Sequence, residues 1–86
     1  MPEISRFFGI IIRMYYNEHV PPHFHAQYGE NQAEINIETF EVIKGKLPNR
    51  VLGLALEWAA LHRNELRTDW ERARSEQPLK PIQPLE

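Results

Sequence analysis

The sequence predicts an α+β fold, in which a four-stranded antiparallel meander precedes a C-terminal helical segment. Two observations support this prediction. In the first half of the chain apolar residues recur at every second position, as in half-buried strands. In the second half they recur at every third or fourth position, as on one face of a helix. Since helices cover only one face of such a sheet, the other face is left to solvent or to a ligand.

The predicted strands are separated by prolines and glycines. The first is expected from Phe8 to Tyr16, where the even positions are apolar, and "NEHVPP" ends it because proline cannot donate to a strand ladder. "HFHAQY" alternates again, "GEN" supplies a hairpin turn, and "QAEINI" follows. A short fourth strand is expected around Val42 and Ile43, ending at Gly45.

The helical segment carries an apolar stripe beyond Pro48, a residue that suits a first helical turn. The stripe fits one long helix from Pro48 to Ser75, or two short helices with a break near Asn64, packed on one face of the sheet. We expect one domain over residues 1–76. An extended Pro-rich tail is expected over residues 77–86, since "QPLKPIQPLE" contains three prolines in ten residues. The stripe consists of Leu52, Ala55, Ala59, His62, Leu66, Trp70 and Ala73.

Composition bounds the function. A chain of 86 residues accommodates one core, and the absence of cysteine excludes disulfides and thiol catalysis. The net charge of −2 provides no cationic field, so any contact with nucleic acid requires a local patch. Neither a signal peptide nor a membrane span is recognisable near the start. We therefore expect a cytoplasmic protein without membrane contact.

Matching the apolar faces of neighbouring strands predicts which side chains meet on the open face of the sheet. In the first pair of strands, Arg13 lies opposite His25 and Tyr15 lies opposite His23. Directly opposed residues have Cβ atoms about 4.5–5.5 Å apart, close enough to act together.

The same matching extends across the next turn. It places His25 opposite Asn36 and Gln27 opposite Glu34. The open face is therefore predicted to present one set of polar side chains to solvent: Arg13, Tyr15, His23, His25, Gln27, Glu34, Asn36 and Glu38.

One interpretation of this face is a ribonuclease-like active site. Cleavage of RNA by its own 2′-hydroxyl needs a base, an acid and a cation that holds the phosphate. The imidazoles of His23 and His25, or the carboxylate of Glu34, supply the base and the acid. Arg13 holds the phosphate, and Tyr15 offers a stacking surface for a nucleobase. This interpretation requires no cofactor.

A second interpretation is a site for a divalent transition metal. His23 and His25 point the same way from a strand, and His19 can close over them from the turn. Glu30 completes an H-x-H-x4-E spacing that resembles part of the cupin metal motif, although the cupin glycines are missing. Imidazole and carboxylate ligands suit iron, manganese or zinc.

A third interpretation is a non-catalytic protein-interaction module. Histidines beside prolines at the entry to a strand often serve only to satisfy backbone groups. In that case the helix and the apolar tail carry the function, and the histidines are structural.

Three stretches of the chain resemble a known family. They are "ISRFFGIIIRMYYNEHVPPHFHAQYGE", "LPNRVLGLALEWAALHRNELRTDW" and "PLKPIQPLE", and the run from His19 to His25 is the most specific part. The resemblance is to the bacterial domain of unknown function 4160, whose genes often lie beside those of domain of unknown function 2442. It implies a toxin of a type II toxin–antitoxin module, with a small antitoxin-type partner encoded by the neighbouring gene. It assigns neither catalytic residues nor a substrate. Our leading interpretation combines this role with the open face of the sheet and takes RNA as the expected target.

Overall fold

The computed structural model describes residues 2–86, which form a five-stranded antiparallel sheet followed by two helices. The strands follow one another in the order β1-β2-β3-β4-β5, which is a simple meander. The predicted α+β class is confirmed, but the sheet has five strands rather than four. The elements are β1 (Glu3–Phe7), β2 (Ile10–Arg13), β3 (His23–Tyr28), β4 (Asn31–Asn36), β5 (Val42–Gly45), α1 (Asn49–Leu61) and α2 (Arg63–Arg74).

The additional strand exists because the first apolar run folds back on itself at Phe8 and Gly9. Both residues have positive φ, 49° and 80°, as in a type I′ hairpin turn. Phe7 then pairs with Ile10 across the turn. The strand predicted from Phe8 to Tyr16 is therefore present only as the shorter β2, and β1, which precedes it, was not predicted. Phe8, predicted to face the core, is 60% exposed.

The turn between β3 and β4 is tighter than predicted. Tyr28 pairs with Asn31, so only Gly29 and Glu30 form the loop. Gly29 adopts φ 58°, a conformation that glycine reaches without the steric penalty of a side chain. A two-residue turn sets a different register from the longer loop that the sequence indicated.

The predicted register of the open face is confirmed at Arg13 between β2 and β3 and is wrong between β3 and β4. Tyr15 lies beyond the end of β2, so the predicted pairing of Tyr15 with His23 is not part of this ladder. Arg13 lies opposite His25, as predicted. The predictions that Asn36 opposes His25 and that Glu34 opposes Gln27 are wrong, because Glu34 itself lies opposite His25. The error is two residues, so the side chains keep their face while their partners change. A carboxylate thereby becomes the neighbour of His25.

The helices cover the other face of the sheet. Trp58 of α1 packs between the rings of Phe7 and Phe24, with centroids 5.5 and 5.8 Å away. Most of the predicted helical stripe is buried, whereas Leu52 and His62 are only partly covered. The fully buried side chains include Ile10, Ile12, Met14, Phe24, Ile35, Ile37, Ala55, Trp58, Ala59 and Leu66.

The helical segment is broken at His62, which has φ −126° and ψ 25°, and α2 therefore leaves in a new direction. It lies against the end of the sheet where β4 finishes. There Arg63 Nε donates a hydrogen bond to the carbonyl of Ile37 at 3.2 Å, and Arg67 binds Glu38 through both carboxylate oxygens. This placement brings α2 close to the first residue of β3.

Residues 77–86 form no helix or strand, yet they contact the domain along their length. The backbone N–H of Ile82 donates to the carbonyl of Ile4 in β1 at 2.7 Å. Trp58 Nε1 donates to the carbonyl of Gln83 at 2.9 Å. The side chains of Ile82 and Leu85 are buried. Across residues 2–86 no helix combines the length and apolarity that a membrane crossing would need.

Candidate metal centre

Three side chains on the polar face converge so that one donor atom from each lies within 4.8 Å of the others: Glu18, His23 and His25. The two histidines are two residues apart on β3, so their side chains project on the same side of the sheet, with ring centroids 5.3 Å apart. Glu18 reaches them from the loop that joins β2 to β3. His25 Nε2 donates to Glu18 Oε1 at 2.9 Å. We call these three residues the ligand cluster.

The two ring nitrogens of His23 have different environments. Nδ1 donates to the carbonyl of Pro21 at 2.8 Å, which leaves Nε2 as the free nitrogen of a neutral ring. Nε2 is buried and has no hydrogen-bond partner in residues 2–86. Its nearest acidic atoms are Glu18 Oε1 at 3.8 Å and Glu34 Oε1 at 3.6 Å.

His23 is only 5% exposed, so the prediction that it faces solvent is wrong. The indole of Trp70, on α2, lies against the imidazole with ring centroids 5.2 Å apart. The reason is the position of α2, which packs against the end of the sheet and covers the first residue of β3. His25 is farther along the strand and keeps a partly exposed side chain.

A cavity of about 360 Å³ opens beside the ligand cluster. Tyr15 stands at one side, with its ring edge-on to His25 at 4.5 Å between centroids and 84° between planes. Lys44 of β5 lies opposite Glu34 of β4, and both line the cavity. The cavity therefore combines an aromatic side chain, a cation and two carboxylates around a histidine.

Some of the predicted site residues lie outside this arrangement. Arg13 is opposite His25, but its Nη1 donates to Gln27 Oε1, and Arg13 is not among the described residues that line the cavity. His19 is exposed and is not part of the ligand cluster. Glu30 occupies the hairpin turn at the opposite end of β3. His23, His25, Tyr15 and Glu34 are brought together.

Sequence reasoning missed two residues, Glu18 and Lys44. Glu18 is next to His19 in "NEHVPPHFH", and the carboxylate so close to a histidine run was the available signal. Lys44 belongs to a strand whose register with its neighbour was not predicted, so no pattern in the sequence connected it to the histidines. The positions of their side chains depend on how the loop between β2 and β3 and strand β5 are placed in three dimensions.

The arrangement has the chemistry of a cation site. Two imidazole nitrogens and one carboxylate oxygen are donors that zinc, manganese and iron accept. The hydrogen bond from His23 Nδ1 to a backbone carbonyl is the outer contact by which proteins commonly orient a ligating histidine. Within residues 2–86 no comparable hydrogen bond fixes the exposed His19.

The comparisons with known proteins give a family but no function. The model of a family described as "Domain of unknown function (DUF4160)" matches residues 9–71, a range that contains the ligand cluster, Glu34 and Lys44. Neither a curated protein nor a solved structure matches the chain.

Proposed function

This chain belongs to the DUF4160 family, a domain family of unknown function, and from the geometry of its polar face we propose that it binds a divalent transition metal through Glu18, His23 and His25. The observation that carries the proposal is the free Nε2 of His23. A buried polar atom that lacks a partner costs roughly 1–3 kcal/mol, so an unpaired nitrogen in a native core calls for an explanation. A bound cation provides the missing partner.

The distances support an ion among the three residues. Donor atoms about 2.1 Å from a shared zinc at tetrahedral angles are about 3.4 Å apart. Glu18 Oε1 lies 2.9 Å from His25 Nε2 and 3.8 Å from His23 Nε2, which brackets that separation. Small rotations of Glu18, a loop residue, would equalise the two distances. When the ion binds His25 Nε2, the proton has to leave that nitrogen, and in a neutral ring it moves to Nδ1, so the ring changes tautomer.

The proposal is tested by titrating the chelator-treated protein with Zn²⁺ in a calorimeter. We expect one ion per chain and a higher melting temperature, because a ligand at 100 times its Kd stabilises the native state by about 2.7 kcal/mol. Glu18→Gln keeps the size of the side chain but removes its charge. It should weaken zinc binding by more than about 10²-fold, since the loss of an outer contact alone typically costs 10–100-fold.

Two control variants match this substitution. Glu30→Gln removes a carboxylate from the hairpin turn, and His19→Ala removes an exposed histidine close to the cluster. Both should bind zinc as the parent protein does. Failure of the parent to bind zinc, manganese, cobalt or iron would overturn the proposal.

We also propose a cellular role for the domain, as a toxin-type protein whose site is covered by a protein partner. One observation favours it: the mouth of a second cavity beside the cluster is flanked by exposed apolar side chains, with Val20 64% and Ile43 44% exposed. Apolar groups around a polar site are what a protein partner would bury.

Inducible expression tests this role. The parent protein should arrest growth when expressed alone, and co-expression of the neighbouring gene should restore growth. Val20→Ser together with Ile43→Ser should leave arrest intact but weaken the rescue, because these residues are assigned to the partner and not to the ligand cluster. Growth that is unaffected by the parent protein would contradict the role without bearing on metal binding.

A further inference from the structure

The ligand cluster contains three protein donors, and Glu34 stands next to them without belonging to the set. Catalytic zinc sites commonly have three protein ligands and an open position for water, whereas structural sites are closed by four. The side that remains open faces the cavity lined by Tyr15 and Lys44. The position of Glu34 therefore decides whether the site is structural or catalytic.

On the basis of the metal site proposed above, we infer that the protein hydrolyses phosphodiesters, with Glu34 as the general base and Lys44 as the group that holds the phosphate. Glu34 Oε1 is 3.6 Å from His23 Nε2, so it lies beside the space that an ion bound to that nitrogen would occupy. A water molecule on the ion would be within hydrogen-bond reach of this carboxylate.

Glu34 is available for proton transfer. Its side chain is 26% exposed, and the contact with His23 is its one ion pair within residues 2–86. It lies directly opposite His25 in the ladder between β3 and β4, so the sheet backbone holds it at the cluster. A carboxylate on a rigid strand beside a metal-activated water is the arrangement that hydrolytic metal sites use.

The charges around the cavity favour an anionic substrate. A divalent ion with the Glu18 carboxylate leaves one net positive charge on the ligand cluster. Lys44 adds a second from the neighbouring strand, and it forms no ion pair within the described part of the chain although it lies across from Glu34. With the negative charge of Glu34 included, the cavity keeps one net positive charge. Two positive groups facing the same space would stabilise the charge that develops on a phosphoryl group. A neutral carboxylic ester carries no charge before it reacts, so Lys44 would not contribute to its binding.

The reaction needs only water as co-reactant. Glu34 takes a proton from the water molecule, and the oxygen attacks phosphorus while the bond from phosphorus to the leaving oxygen breaks. Glu34 then returns the proton to the leaving oxygen. The products are a phosphomonoester and an alcohol, and nothing is oxidised or reduced.

The test uses the zinc-loaded or manganese-loaded full chain with bis(p-nitrophenyl) phosphate as an anionic diester and p-nitrophenyl acetate as a neutral ester. We expect turnover of the diester. Glu34→Gln should lower the rate by about 10²–10⁴-fold, the usual contribution of a general base, while zinc affinity measured by calorimetry stays at the parent value. Lys44→Gln should raise KM for the diester only.

Matched controls are Glu41→Gln and Lys46→Gln, which remove the same charges from exposed residues that flank β5. Both should retain the parent activity. Loss of zinc affinity in Glu34→Gln would show that Glu34 is a fourth ligand and would overturn the inference. So would metal binding without diester turnover, or turnover that is equal in Lys44→Gln. A parent protein that binds no metal contradicts the proposed function instead, and calorimetry separates the two failures.

Discussion

The backbone decides which nitrogen of His23 is free to act. The Pro21 carbonyl accepts a hydrogen bond from the Nδ1–H of His23, so Nε2 is the unprotonated nitrogen of the neutral ring. Trp70 covers the ring on one side. The result is a ring that is buried and has Nε2 directed at Glu18 and Glu34. Its neighbour His25 is two residues away and lies on the more open side of the cluster. Two identical residue types thus have different environments because one of them lies under a helix.

Phe8 has a backbone conformation that is energetically unfavourable for a bulky side chain. It is held at φ 49° in the two-residue turn between β1 and β2 while its ring is largely exposed. Left-handed backbone costs a bulky residue about 1–2 kcal/mol, whereas Asn-Gly is the preferred pair in a type I′ turn.

We therefore predict that Phe8→Asn raises the free energy of unfolding by about 1 kcal/mol, which corresponds to a melting temperature about 4–8 °C higher for a domain of this size. Denaturant titration and a thermal scan would measure it. A lower stability would indicate that the contacts of the Phe8 ring with Phe7 outweigh the backbone strain.

At the scale of elements, two arginines on α2 fix that helix to the end of β4. Arg67 binds both oxygens of Glu38, with distances of 2.6 and 2.7 Å, and this hydrogen bonding holds the pKa of Glu38 below its ordinary value. Arg63 lies over the ring of Phe40 at 4.2 Å. These contacts matter for the site because α2 carries Trp70, the residue that covers His23.

Arg67→Ala should raise the pKa of Glu38 toward its ordinary value, as measured by NMR titration of the side chain. Because the pKa is lowered in the folded state, the pair stabilises the protein above the unfolded pKa of about 4.3. That contribution to stability is lost as the pH falls through the pKa that Glu38 has in the folded protein. The variant should therefore lose stability at neutral pH and match the parent in strong acid. Glu3, whose pKa is lowered by Arg6, serves as the control and should not move.

At the scale of the whole molecule, residues 77–86 connect parts of the fold that are distant in sequence. The backbone N–H of Ile82 donates a hydrogen bond to Ile4 in β1. The carbonyl of Gln83 accepts a hydrogen bond from the indole N–H of Trp58. On α2, the buried Asp69 accepts hydrogen bonds from Arg72 and from the backbone of Lys80. The segment is hydrogen-bonded to β1, one edge strand of the sheet, while β5, the other edge strand, is exposed along its length.

Ile82→Ala should destabilise the domain by about 2 kcal/mol, at the lower end of the usual range for a buried isoleucine, because the segment has no regular structure and can adjust. Thermal unfolding would measure the change, and the exposed Gln77→Ala supplies the control. An unchanged melting temperature in Ile82→Ala would mean that burial of the Ile82 side chain contributes nothing to the stability of the fold.

Periodicity in the sequence was sufficient for the fold class. The alternation around Ile12, Phe24 and Ile35 and the helical spacing around Ala55 and Leu66 reflect one-sided burial, which is a local property of each element. The same alternation placed His23 and His25 together and Arg13 opposite His25. The strand count failed at Phe8, since a phenylalanine in a left-handed turn continues the apolar pattern while the chain reverses.

The sequence by itself determined which faces are apolar and that two histidines share the polar one. Tertiary structure alone decided which carboxylates meet them and how far each ring is buried. Glu18 reaches the cluster through the path of a loop, and Glu34 reaches it through a tight turn that moves the register by two residues. His23 is buried because α2 turns at His62 and brings Trp70 over it. Turn length and helix direction depend on the packing of distant residues, and the hydrophobic pattern of a single element does not encode them.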